Sequence, residues 1–201
     1  MSKIIVIGAT GTIGKAVVAA LGARHDVIQV GATRGEYRVD ASDPAGVRRL
    51  FESVGKIDGL IIATGNVHFG PFEEMTPDQF QLGLRDKLMG QVNVVLVGQS
   101  WMNDGGSFTL TGGISAHEPI RHGANASSVN MALEGFVRGA AVDLKRGMRI
   151  NLVSPTVLEE SVSTFGPYFP GFEAVSSARV GLAYVRSVEG AETGRVYRVG
   201  Y

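Results

Sequence analysis

A chain of 201 residues can bury one sizeable core and is barely long enough for two. Nineteen basic residues balance nineteen acidic ones with no basic run, so no nucleic-acid partner is expected, and the absence of cysteine excludes disulfides, thiolate metal sites and a cysteine nucleophile. No apolar run approaches a membrane span and the start lacks a leader pattern, so a cytoplasmic single domain over 1–201, without a membrane partner, is the expectation.

In chain order, apolar strand-like runs alternate with helical patterns. "KIIVIG" (3–8) reads as a buried strand and "TIGKAVVAALGAR" (12–24) as a helix ending near Gly22. Strands follow at 26–32 and 37–40, then a helix over 43–55 opened by an Asp N-cap and a proline. "DGLIIATG" (58–65) is a fourth strand, and 76–102 contains a long helix opened by Thr-Pro. Further strands are expected at 106–113, 148–155 and 194–200, with helices over 125–145 and 176–188. This alternation predicts an α/β fold of Rossmann type: a doubly wound parallel sheet of about seven strands with helices on both faces.

Between the first strand and helix, "VIGATGTIGKAVV" places Gly8, Gly11 and Gly14, with Thr10, Thr12 and Ile13 among them. Glycines there permit a tight turn and a close approach of backbone to a pyrophosphate, which then meets a positive helix N-terminus. A phosphate loop of the NTPase type is rejected. Five residues separate Gly8 from Gly14 where that motif has four, and Ala16 follows the lysine where it has Ser or Thr. The second strand ends in "VGATRG", without the carboxylate that binds ribose hydroxyls in NAD sites. Thr33 and Arg34 occupy that zone, and an arginine can pair with a 2′-phosphate, so NADP(H) is favoured over NAD(H).

Taken together, these features resemble the short-chain dehydrogenase/reductase family over nearly the whole chain. Asp40 and Ala41 in "RVDASD" match the adenine-contacting segment, and Ala63, Thr64 and Gly65 match the stretch passing the cofactor ribose. "GMRINLVSPTV" resembles the family's Pro-Gly strand end, with Pro155 and Val157 near the cofactor and Thr156 in place of the glycine. "TGRVYRVGY" resembles the closing strand, with Gly200 where Gly-Gly is usual. The resemblance implies a Ser-Tyr-Lys catalytic set, and here the alignment yields Gly112 or Gly113, Ala126 and Asn130 instead. The family's helical Asn falls on Lys87, in "KLMG". The substitutions look like an exchange, with Lys87 placing an ammonium by the nicotinamide ribose and Asn130 hydrogen-bonding to it.

Thr111, Ser115, His117, His122, Ser127 and Ser128 border the expected pocket as possible replacements for the tyrosine, His117 because imidazole titrates near neutrality and Ser115 as an orienting hydroxyl. Tyr168, in "STFGPYFPGF", reads as pocket wall. The four histidines (25, 68, 117 and 122) lack helical ligand spacing, so no metal site is expected.

The sequence therefore points to an NADP(H)-dependent oxidoreductase of a small carbonyl or alcohol, with Lys87, Asn130, Ser115 and His117 as candidate catalytic residues. The alternative is a non-catalytic NADP(H)-binding redox sensor or regulator. Apolar surplus on "NVVLVGQSWM" and "MALEGFV" predicts a homo-oligomer, dimer or tetramer.

Overall fold

Seven strands pair in parallel throughout, in the order β3-β2-β1-β4-β5-β6-β7, in the computed structural model, which describes all 201 residues. In chain order they are β1 (Lys3–Ile7), β2 (Asp26–Gly31), β3 (Tyr37–Arg38), β4 (Ile57–Ile62), β5 (Met102–Thr111), β6 (Arg149–Pro155) and β7 (Val196–Val199). Both faces are covered, which is why the central strands are apolar without alternation: Ile4, Ile5, Val6 and Ile7 are all buried. Helices α1 (Thr12–Leu21) and α7 (Ser177–Glu189) close one face around Val17, Leu21 and Tyr184. On the other lie α2 (Pro44–Val54), α3 (Pro77–Gly83), α4 (Gly90–Gly98) and α5 (Ala124–Asp143), packed around Phe51, Phe108 and Leu133. A short helix, α6 (Val162–Phe165), interrupts the segment between β6 and α7.

Local signals fix the helix starts. The Asp43 carboxylate accepts the Ala45 N–H at 3.0 Å with Pro44 in the first turn, and Thr76 and Gln79 form a reciprocal capping box ahead of α3. None of the helices is long and apolar enough to cross a membrane.

Several expected elements are shorter than their patterns, among them the third strand, which keeps only Tyr37–Arg38 of 37–40. The helix over 76–102 is three pieces: α3, a π-helical turn at Leu84–Met89, and α4, and the chain enters β5 at Met102. Its last apolar residues serve the turn and the next strand: Trp101 stacks on Phe51 at 6.4 Å and Met102 pairs in register with Ile57. Periodicity cannot separate these uses, because both bury the same residue types. The fourth strand stops at Ile62. The Ala63 N–H still donates to the Ile7 carbonyl at 2.8 Å, after which Gly65 adopts φ +114° and turns the chain away.

Two buried amides lock the helices beside the site. Gln91 donates to the Thr111 carbonyl and accepts the Thr111 N–H, each at 2.9 Å, fixing α4 to the end of β5. Asn125, fully buried, donates to the Phe80 carbonyl at 2.7 Å and accepts the His68 N–H at 2.9 Å, binding α3 and the loop after β4 to the start of α5. Glycine at position 83 makes room for that amide, since a Cβ there would collide with Asn125 Oδ1. Asn125→Ala would strand both backbone groups, and a stability loss of about 1–3 kcal/mol is expected. Urea denaturation checks it as a lower midpoint with an unchanged slope.

Candidate active site

The site forms where the strand order reverses, between the carboxyl ends of β1 and β4. Gly8 has φ +88°, and a Cβ there would run into the Ala63 carbonyl; one at Gly14 would run into the Gly8 carbonyl. Backbone therefore lies where side chains would otherwise stand. Gly11 begins α1 without a side-chain cap, so the first-turn N–H groups face the crevice. This uncapped cradle fits a pyrophosphate.

At the edge of the crevice, the Thr10 hydroxyl would lie 3.1 Å from a Cβ on Gly31, so it leans over the end of β2. Thr33 and Arg34 are exposed on the loop that follows. Glu36, the nearest acid in the chain, is turned back to accept the Gln29 N–H at 2.9 Å. The Asp40 carboxylate accepts from the Ser42 hydroxyl at 2.7 Å and its N–H at 2.8 Å; these bonds, with Arg85 nearby, hold its pKa below the usual range. Asp40 thus shapes the turn that buries Ala41 against Gly90. Thr64 stands beside Gly8, and Gly65 passes so close to Lys87 that a Cβ would sit 2.5 Å from its Cα.

Beyond the cradle opens a cleft of about 210 Å³. Ile13, Pro155, Thr156 and Val157 line its cofactor end, and Val67, Phe69, Phe165 and Phe169 form apolar walls. Lys87, Ser115, Asn130 and Ser161 supply polar groups to the remaining surface, beside Gly112, Ile114, Ala126 and Leu158. Thr156 is 4% exposed and its hydroxyl has no partner, a donor and acceptor suited to the amide of a nicotinamide. With the glycine cradle and the uncapped helix, the residues present fit a nicotinamide dinucleotide.

Lys87 reaches the cleft from the π-helical turn, a local widening that recurs at functional sites. Its Nζ donates to the Gly112 carbonyl at 3.2 Å. Part of the side chain stays open to the cleft, but protein crowds the ammonium, and this desolvation lowers its pKa to about 8. Asn130 donates through Nδ2 to Ser115 Oγ at 2.9 Å, while its Oδ1 has no partner. The expected Lys87–Asn130 hydrogen bond is therefore absent, since each group is engaged by a neighbour on the β5–α5 connection. Gly113 explains part of the pattern. A Cβ there would lie 3.0 Å from Asn130 Nδ2, so a glycine at 113 leaves the amide its room.

The other proton-donor candidates lie elsewhere. His117 Nε2 is held at 2.8 Å from a carboxylate oxygen of Glu134, whose side chain is 1% exposed and also meets Arg138. His117 therefore braces α5 and does not line the cleft. Thr111 bonds the Ile62 carbonyl and the Tyr184 hydroxyl inside the core, and Ser128 donates to the Ala124 carbonyl. His122 and Ser127 are also outside the cleft lining. Tyr168 stacks on Phe69 at 4.9 Å and buttresses that wall from behind. Of the whole set, Ser115 alone reaches the cleft.

Sequence reasoning missed the unpartnered hydroxyl of Thr156 beside the cleft, Phe69, Phe165 and Phe169 as walls, and Asn125 as a clamp. The run "FGPYFPGF" carried the aromatic signal, but nothing in it says which rings face inward.

Comparison with known proteins bears on this arrangement. The crystal structure of the protein lin1944 from Listeria innocua superposes with a TM-score of 0.97 at 43% identity, covering 98% of this chain and 99% of that one. A small-chain dehydrogenase solved in complex with NADPH shares the fold, with a TM-score of 0.88 at 23% identity over 98% of this chain and 96% of that one. Versicolorin reductase stcU of Emericella nidulans is 26% identical over 88% of this chain and 77% of its own length. A family model described as enoyl-(acyl carrier protein) reductase matches residues 8–197. By that match and by its fold, the chain belongs to the short-chain dehydrogenase/reductase family of oxidoreductases.

Proposed function

We propose that the chain is an NADP(H)-dependent oxidoreductase of a small carbonyl or alcohol in which Lys87 replaces the family's tyrosine as proton donor. The observation that carries this reading is the Lys87 side chain, which lines a cleft to which Ala126 adds only a methyl group, with its ammonium on the Gly112 carbonyl. Bound NADPH would supply the hydride.

The chain's own residues do the rest. The first turn of α1 and Gly8, Gly11 and Gly14 would hold the pyrophosphate, Thr10, Thr33 and Arg34 would take the 2′-phosphate, and Thr156 and Val157 would meet the nicotinamide amide. Asp40 and Ala41 border the adenine, and Ala63, Thr64 and Gly65 the ribose. Ser115 donates a hydrogen bond from its hydroxyl to the substrate carbonyl oxygen, while Asn130 fixes the orientation of that hydroxyl. Lys87 transfers a proton from Nζ to the same oxygen as it becomes an alcohol and recovers one from water. A pKa near 8 suits this transfer, because a donor works best when its pKa lies near the working pH. The aromatic walls keep bulk water from the reacting carbon. The solved complex of a distant small-chain dehydrogenase with NADPH supports NADP(H) as the cofactor by analogy. The missing Ser-Tyr-Lys set favours a second reading, a redox sensor that binds NADP(H) without turnover.

Residues 1–201 are proposed to act as one unit that self-associates. Between α4 and α5 runs a shallow groove lined by Leu96, Phe136, Gly135 and Gly139, with Leu96 55% exposed, which suits helix-on-helix contact between two copies.

Arg34→Ala should weaken NADPH binding about 10- to 100-fold and leave NADH binding nearly unchanged, the scale of a charge-assisted hydrogen bond. Fluorescence titration with both cofactors checks it, and equal losses would remove the phosphate assignment. Lys87→Met should lower kcat for carbonyl reduction at least about 100-fold while NADPH still binds. In the wild-type protein, kcat/KM for reduction should hold below pH 8 and fall above it as the ammonium loses its proton. A flat profile to pH 9 would exclude Lys87 as the donor. Tight NADPH binding with no turnover on any carbonyl would favour the sensor.

A further inference from the structure

Lys87 is the only charged side chain among the 16 residues that line the cleft. Gly65 packs over the base of that side chain, where a Cβ would lie 2.5, 2.7 and 2.8 Å from Cα, Cβ and Cγ. The part of the lysine left open to the cleft is therefore its distal end. Gly112, whose carbonyl accepts from Nζ at 3.2 Å, lines the same cleft. That bond uses one ammonium proton and leaves the other two for a ligand.

No counterion comes from the elements around it. Asp86, the preceding residue on the π-helical turn, accepts from the backbone N–H and Nδ2 of Asn66 at 2.9 and 2.7 Å. On α5, Glu134 meets His117 and Arg138. In the segment after β6, Glu160 accepts from the Ser177 hydroxyl and N–H. Glu118 and Glu159 are exposed, and neither lines the cleft. Burial alone lowers the Lys87 pKa to about 8, with no neighbouring charge contributing. A desolvated ammonium without a partner is costly, and an anionic ligand offsets that cost.

We infer that the cleft takes an anionic substrate, a small oxo acid: its carboxylate pairs with the Lys87 ammonium, its carbonyl oxygen accepts from Ser115, and its apolar or aromatic remainder packs among Val67, Phe69 and Phe165. The inference names the substrate class of the oxidoreductase proposed above and rests on that reading for turnover, though not for binding. No new chemical step is involved. The carbonyl carbon gains hydride, its oxygen gains the Lys87 proton, and the product is a hydroxy acid.

The test pairs each anion with a neutral ligand of the same shape, on the full chain with and without NADPH. Benzoate is compared with benzamide for binding, by ligand-observed NMR, and phenylglyoxylate with phenylglyoxylamide for turnover. Benzoate should bind about 10- to 100-fold more tightly than benzamide, the scale of a charge-assisted hydrogen bond, and kcat/KM should favour phenylglyoxylate by a similar factor. The anion pairs with the protonated amine, so benzoate affinity should hold below pH 8 and fall above it, while benzamide affinity stays level. In Lys87→Met, with a thermal melt confirming the fold, the preference for benzoate should disappear; if the variant does not fold, the pH dependence of the wild-type protein decides. Equal affinities in the wild-type protein, a preference that survives Lys87→Met, or one that stays level well above pH 8 would overturn the inference. If neutral ketones are reduced but phenylglyoxylate no faster than its amide, the inference fails and the oxidoreductase reading stands. Selective benzoate binding that depends on Lys87, with no turnover of any ketone, would support the anion site and sink the catalytic reading.

Discussion

Everything in this molecule is arranged around one steric constraint, the contact of the β1 and β4 chain ends at the point where the sheet changes direction. Gly8 lies against the Ala63 carbonyl and Gly14 against the Gly8 carbonyl, with no room for a Cβ at either. Because the two backbones touch, α1 starts deep in the crevice and aims its uncapped N–H groups at it. The loop after β4 must then leave the sheet at once, and it does so over Gly65, which rests on Lys87. Crevice, cradle and cleft floor follow from the same close approach.

The fold was legible because its signals are local. Buried parallel strands read as continuous apolar runs, as in "KIIVI", and Asp43-Pro44 and Thr76-Pro77 announce helices by capping chemistry that acts within one turn. Misreadings arose where one apolar residue could serve either of two elements. Trp101 and Met102 continue the pattern of α4, yet tertiary packing against Phe51 and pairing with Ile57 assign them to a turn and a strand. The π-helical turn at Leu84–Met89 left no mark at all in "LRDKLM", since widening a helix by one residue changes no residue type.

The site was half legible for a related reason. Glycines and an exposed arginine at a strand end report backbone geometry and charge, which sequence order preserves. Side-chain pairing depends on which neighbour arrives first in space. His117 looked like a candidate acid until Glu134, seventeen residues later, proved to hold it. Nothing in the sequence marks Asn125, although it ties together the loop after β4, α3 and α5. In both cases the deciding contact joins segments whose separation no pattern encodes.

Lys87, Ala126 and Asn130 line one cleft, and Gly113 lies against the Asn130 amide, so the four are best read as one unit. Lys87 brings a cation into a desolvated cleft, and its lowered pKa records how little solvent compensates the charge. A lysine kept at position 130 would set a second ammonium in the same cleft, and like charges there would drive one of them to neutrality. Asn130 removes that conflict, and Gly113 supplies the space its amide needs. Ala126, one turn before that amide on α5, adds only a methyl group to the cleft lining. Given the lysine on the earlier helix, a neutral amide on the later one is the electrostatic consequence, and the open cleft between them is left for the substrate.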